Sequence, residues 1–336
     1  MDATACGGAD RRNHMTKHPF ALLAALLCST PAWAQQTDLL IGSTSASSSH
    51  YGYFVAAGQI VNEQVEGISA AVVETGATMD NIRRMSRRQM DMVLVTTNVA
   101  QHAVAGTNDF EGNAQDLSLL WVYTGAPQNV IVRRDAGLDS LEALAGARIN
   151  PDIRGSATES TTKAVFEALG LNAKWVRGST TDIVDAIKDN RMAGYVKSGS
   201  GVRLDASTMD VATFTPIDVL GLTPEQADQL RAEMPDISVV DIPEGAAEGI
   251  PAYTTWSFGV GVGVGATSEM TEEDAYKIVS AVMADETVQV NALAELRDAS
   301  LAELTLQYAT VPLHPGAARW FEESGHELPE ALRPAE

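Results

Sequence analysis

From residue 37 onward the chain alternates short β-like runs with amphipathic helical stretches, and this alternation restricts its fold more than any other feature. Residues 38–41 read as a strand, and 50–65 carry helical spacing at Phe54, Ile60 and Val61. Strands at 70–73, 92–95 and 119–123 follow, with a basic amphipathic helix at 79–88 and a further helix opened by Asn98. A second series begins near Gln128. It has strands at 130–132 and 148–150 around a short helix at 141–144, then helix 158–169, strand 174–176, helix 182–188 and strand 194–196. Beyond it, β-like runs at 211–220 and 237–242 flank a helix at 224–231, and 254–264 read as one long β-like run. A helix at 271–283 is capped by Thr271 with Asp274 three residues on, and a break at 311–316 precedes a last helix at 317–323. Strands separated by helices of this length pair in parallel. Two series fit two sheets, and 336 residues suffice for two domains of ordinary size. The expected class is α/β, with two mainly parallel sheets flanked by helices.

The N-terminus reads as an export signal. Lys17 and His18 precede an apolar run at 20–28, and Ala32-Trp33-Ala34 has the small-x-small cleavage pattern. Residues 1–34 are therefore assigned to a cleavable signal, cut after Ala34, with Met15 the better start. The run is too short to anchor in a bilayer. Cys28 follows Ala25-Leu26-Leu27, a poor lipid-attachment box, so the expected product is soluble and periplasmic. Both cysteines, Cys6 and Cys28, precede the cut, which leaves the product no disulfide, thiolate metal site or cysteine nucleophile. The formal charge of the whole chain is −21, and the leader takes away Arg11, Arg12 and Lys17 against Asp2 and Asp10. So acidic a surface argues against nucleic acid and anionic membranes as partners.

In open α/β sheets, ligands meet the carboxyl ends of strands and the N-termini of helices. The strand-to-helix turns are therefore the candidate site. The first, residues 42–51, carries seven hydroxyl side chains in ten and offers Ser43, Thr44, Ser45, Ser48 and Tyr51. The second offers Thr75, Gly76 and Ala77, and the third Thr97 and Asn98. The fourth is Arg154-Gly155-Ser156-Ala157-Thr158-Glu159. There Ser156 and Glu159 have capping-box spacing, Gly155 permits close approach, and Arg154 supplies a guanidinium. The fifth places Lys197 at the end of the 194–196 strand. Trp256, in the returning segment, reads either as core, the commoner case, or as a wall of the hinge. Each turn taken alone can equally be simple capping or a solvated loop.

Enzyme signals do not survive inspection. No Gly-x-Ser-x-Gly elbow or phosphate loop occurs, and Ser160-Thr161-Thr162-Lys163 lacks the companion motifs of a Ser-x-x-Lys enzyme. Gly261-x-Gly263-x-x-Ala266 lies inside an alternating Val-Gly run and reads as a strand with a small-residue face. His50, His102, His314 and His326 have no partner at metal spacing. No catalytic residue, metal or cofactor is expected.

The same segments resemble one family. The matching stretches are Ile41-Gly42-Ser43 leading to Tyr51, Glu74-Thr75-Gly76-Ala77-Thr78 with Asn81, and 94–100. Gly155-Ser156-Ala157-Thr158-Glu159, 182–187 and 311–317 continue the match. The chain looks like a TAXI-type (TRAP-associated extracytoplasmic immunogenic) solute receptor. The resemblance implies a two-lobed periplasmic-binding-protein fold, type II-like, with crossing strands at the hinge. Residues 35–125 would form lobe 1 and 126–253 lobe 2, with 254–336 returning to complete lobe 1. It also implies capture of a small organic anion, such as glutamate or 2-oxoglutarate, and delivery to TRAP membrane subunits; a monomer is expected. The family's glycine-rich first loop is replaced here by a serine-rich one, and Arg154 and Lys197 stand where a Pro and a neutral residue are usual. The two added cations suggest a dicarboxylate. A ligand-sensing module or an enzyme on the same fold is the alternative.

Overall fold

The computed structural model describes residues 36–258 and 262–334. The export signal, its cut after Ala34, Cys6, Cys28 and Gly261 lie outside the described residues. The first sheet draws on β1 (Thr37–Gly42), β2 (Ile68–Val73), β3 (Met92–Thr96) and β4 (Ser118–Thr124). They are linked by α1 (Ser49–Gln64), α2 (Thr78–Met85) and α3 (Thr97–Ala105). The chain then crosses to a second sheet of β5 (Gln128–Arg133), β6 (Arg148–Asn150), β7 (Lys174–Trp175), β8 (Gly194–Ser198) and β9 (Ile217–Leu220). Helices α4 (Ala157–Ala168), α5 (Thr180–Lys188), α6 (Ala206–Phe214) and α7 (Pro224–Glu233) belong to it. A hairpin of β10 (Ile237–Ile242) and β11 (Tyr253–Phe258) leads to β12 (Val262–Ala266) in the first sheet. The helices α8 (Glu272–Ala284), α9 (Val288–Ala292), α10 (Leu301–Tyr308) and α11 (Pro315–Glu323) complete the chain.

The two sheets share one topology. Their strand orders are β2-β1-β3-β12-β4 and β7-β6-β8-β5-β9. In each, three strands pair in parallel and the fourth position holds one reversed strand, antiparallel to both neighbours. That reversed strand is the one arriving from the other lobe: β12 in the first sheet, β5 in the second. Residues 125–127 lead from β4 in the first sheet to β5 in the second, and an antiparallel bridge ties Pro127 to Ser257 beside them.

The strand period accounts for the cores. Val130 and Val132 face one side of the second sheet, with Leu144, Phe166 and Trp256, whereas Ile131 and Tyr195 face the other, with Ile187 and Val211. In the first lobe a single large core runs from Leu39 through Trp121 to the C-terminal Phe321 and Leu332. The small face of β12 has a steric cause. A Cβ on Gly263 would stand 2.8 Å from the Trp121 carbonyl oxygen, and one on Gly265 would stand 2.6 Å from Leu117 Cδ1.

The structure corrects three sequence expectations. Residues 211–220 are not one β-like run: 206–214 form α6 and only 217–220 form β9. Val211 is β-branched yet helical because Asp205 caps the helix and Val211 is fully buried against the sheet, so packing overrides propensity. Residues 254–264 divide into β11 and β12, which belong to different sheets. The short helix expected at 141–144 is a 3-10 turn over Glu142–Leu144.

Candidate functional site

The carboxyl ends of β1 and β3 face those of β6 and β8 across the space between the lobes. Thr44, Ser48, His50, Ala77, Thr78, Leu94 and Thr96 come from the first lobe. Asp152, Ser156, Ala157, Thr158, Lys197 and Ser198 come from the second. With Phe258 at the end of β11 they line a cavity of about 30 Å³. The lobes touch at its rim, where Met79 N donates to Gly155 O at 3.0 Å.

Helix starts line this cavity because the strand-end loops turn straight into helices. Ser48 caps α1 and Ser156 caps α4, accepting from His50 N and Glu159 N. Helix α2 opens from Ala77, at φ 63 and ψ −156, with no side-chain cap. Asn81 braces the loops from behind. Its Nδ2 donates to Ser43 O at 2.9 Å and Leu94 O at 2.8 Å, and its Oδ1 accepts from Thr75 Oγ1 at 2.6 Å.

Lys197 Nζ lies 3.2 Å from Asp152 Oδ1, with side-chain exposures of 3% and 6%. Burial works against the ammonium, but Asp152 and Asp205 outweigh it and hold its pKa above the ordinary value. Asp205 is buried beside the cavity. Burial would raise its carboxyl, yet Lys197, His50 and the bonds from Ser207 hold it below the usual carboxylate range. His50 is pushed from 6.5 down to about 4, chiefly by burial and secondarily by Lys197, with Asp205 opposing. Lys197 thus stands between Asp152, its ion-pair partner, and Asp205.

His50 links the two lobes. Nδ1 is 2.9 Å from the Tyr123 hydroxyl oxygen in the first lobe, and Nε2 is 3.4 Å from Ser198 Oγ in the second.

The structure brings only some of the sequence-assigned residues to the cavity: Thr44, Ser48, Ala77, Ser156, Ala157, Thr158 and Lys197. Ser43, Ser45 and Thr75 are buried in the loop scaffold behind it. Tyr51 is half-buried away from it. Thr97 sits under the Thr310 hydroxyl, and Asn98 lines a separate surface groove with Met79 and His102. Gly76, Arg154 and Gly155 line an open groove on the rim. Arg154 is exposed because Gly155, at φ 86, turns the chain so that the Ser156 side of the loop faces inward. Trp256 takes the core reading, wholly buried in the core of the second lobe. Sequence reasoning missed Asp152, Asp205, His50 and Ser198. Asp205-Ala206-Ser207 carries an N-cap signal, which was hidden by the β-like reading of the residues that follow.

Among the described residues, no group of three His, Cys, Asp or Glu side chains could hold a metal, and no helix is long and apolar enough to cross a membrane. A family model described as NMT1-like matches residues 41–325. The periplasmic binding protein BugD superposes with a TM-score of 0.51 at 12% identity, over 88% of this chain and 99% of that one. The ligand-binding component of an ABC-type import system from Staphylococcus aureus, with zinc bound, gives 0.48 at 9% identity over 89% and 97%. The aliphatic sulphonate binding protein SsuA from Escherichia coli gives 0.43 at 11% identity over 86% and 90%. The fold is that of the two-lobed periplasmic binding proteins.

Proposed function

This chain belongs to the NMT1-like family, and we propose that it is an extracytoplasmic solute receptor. It captures one small molecule between its lobes and releases it to a membrane permease. The observation that carries this reading is a cavity lined from both lobes with a buried charged pair in its wall. Contacts from both lobes are what make closure depend on a ligand. The resemblance of residues 94–100, 155–159 and 311–317 to TAXI receptors supports delivery to a TRAP-type permease, and the leader at 1–34 supports a periplasmic location. Capture and release need no catalytic group.

The ligand reading changes with the position of Arg154. A dicarboxylate would need a second buried cation, and Arg154 is exposed on the rim. The remaining cation, Lys197, is already paired with Asp152. A small zwitterion suits this pair best. Its carboxylate replaces Asp152 at Lys197 while its ammonium takes up Asp152, so no charge is left buried alone. Calorimetry of the purified protein against amino acids with one carboxylate, such as glutamine, and dicarboxylates, such as 2-oxoglutarate, tests this. The zwitterions should bind more tightly; tighter dicarboxylate binding would refute the ligand class.

A further inference from the structure

A second relationship crosses the lobes and involves no ligand. Asp205, 1% exposed, is the N-cap of α6: its Oδ1 accepts from Ser207 N at 3.0 Å. Its other oxygen, Oδ2, accepts from Ser48 Oγ and Ser49 N, both at 2.8 Å, at the start of α1 in the opposite lobe. The exchange is reciprocal, because Ser49 Oγ accepts from Ala206 N at 2.8 Å, in the first turn of α6. One carboxylate thus serves the positive ends of two helices that belong to different lobes. When the lobes separate, α1 loses the Asp205 carboxylate and α6 loses Ser49 Oγ, unless water replaces them, while α6 keeps Asp205 as its own cap.

We propose that Asp205 is the latch of the closed state, a positioning residue whose carboxylate joins the N-termini of α1 and α6 across the cleft. An anionic group on a ligand is therefore not needed at the start of α1, because the protein supplies its own. The latch sets how far the empty receptor is already closed. It requires only the two lobes and their closure, whatever the solute.

The test is the inter-lobe distance distribution, measured by double electron–electron resonance. The chain after Ala34 contains no cysteine, so spin labels on Glu63→Cys and Glu167→Cys report one distance between lobes. The exported full chain is unfolded, dialysed free of small molecules and refolded before labelling. At neutral pH the wild type should show a closed population. Asp205→Asn can still cap one helix but has one acceptor oxygen where two are used, and its ratio of closed to open molecules should fall about tenfold. Ser49→Ala, which leaves the carboxylate intact, should shift the ratio in the same direction by less. A fully open wild type, or an Asp205→Asn distribution that superimposes on the wild type, overturns the proposal. If Asp205→Asn loses its native circular dichroism, an unchanged distribution in Ser49→Ala does the same. Solute affinity measured on the same samples is read separately, so a failed latch and a failed receptor reading remain distinguishable.

Discussion

Lys197 Nζ stands 3.2 Å from Asp152 Oδ1, and neither side chain exceeds 6% exposure. Breaking a buried pair from one side strands the other charge, at a cost of about 3–5 kcal/mol. Lys197→Met should lower the urea midpoint accordingly, and Lys197→Met with Asp152→Leu should recover most of the loss. A single variant as stable as the wild type would mean that water reaches the pair.

His50 gives the protein a defined acid sensitivity. Its folded pKa of about 4 lies below the ordinary 6.5, so between these values the unfolded chain binds the extra proton. Stability is therefore lost as pH falls through that window, by roughly 3 kcal/mol over its full width. His50→Gln should flatten this part of the curve in urea titrations at pH 7, 6 and 5. An equal slope in the variant would place the sensitivity elsewhere. Asp205, held below its ordinary range, acts with the same sign but only at more acid pH.

Gly316 is where α11 meets α8. A Cβ there would lie 2.2 Å from the Glu272 carbonyl oxygen and 2.6 Å from Tyr276 N. Gly316→Ala should cost about 1–3 kcal/mol through forced separation of the two helices, read as a lower melting temperature by calorimetry. Ordinary stability in the variant would show that the helices part freely.

Export can be checked by intact mass. Expressed with its leader, the protein should be recovered from the periplasm starting at Gln35. Retention of residues 1–34 would remove the support they give to a periplasmic location.

The alternation of strands and helices was legible because each segment buries one face and follows its own period. The reversed strands β5 and β12 were not, since a hydrophobic run does not record the direction of its neighbours. The TAXI-like stretch 311–316 shows how a motif can carry structure instead of ligand: His314 caps α11 through Gly316 N and donates from Nε2 to Met270 O at 3.0 Å. At the site, Ser48, Ser156 and Lys197 were readable as strand-end residues. Asp152 and Asp205 were not, because their meaning lies in partners 45 and 157 residues away. Arg154 misled for a local reason: the positive φ of Gly155 decides which side of the loop faces the cavity.

The central claim is that one solute is held by both lobes at once. It is tested most directly by calorimetric titration of the tightest solute into the wild type, Thr44→Val and Thr158→Val. These variants change one cavity-lining hydroxyl on each lobe at nearly constant volume. The account predicts one site per chain and an affinity about tenfold weaker in each variant, with the melting temperature of the empty protein little changed. Unaltered affinity in both variants would contradict it.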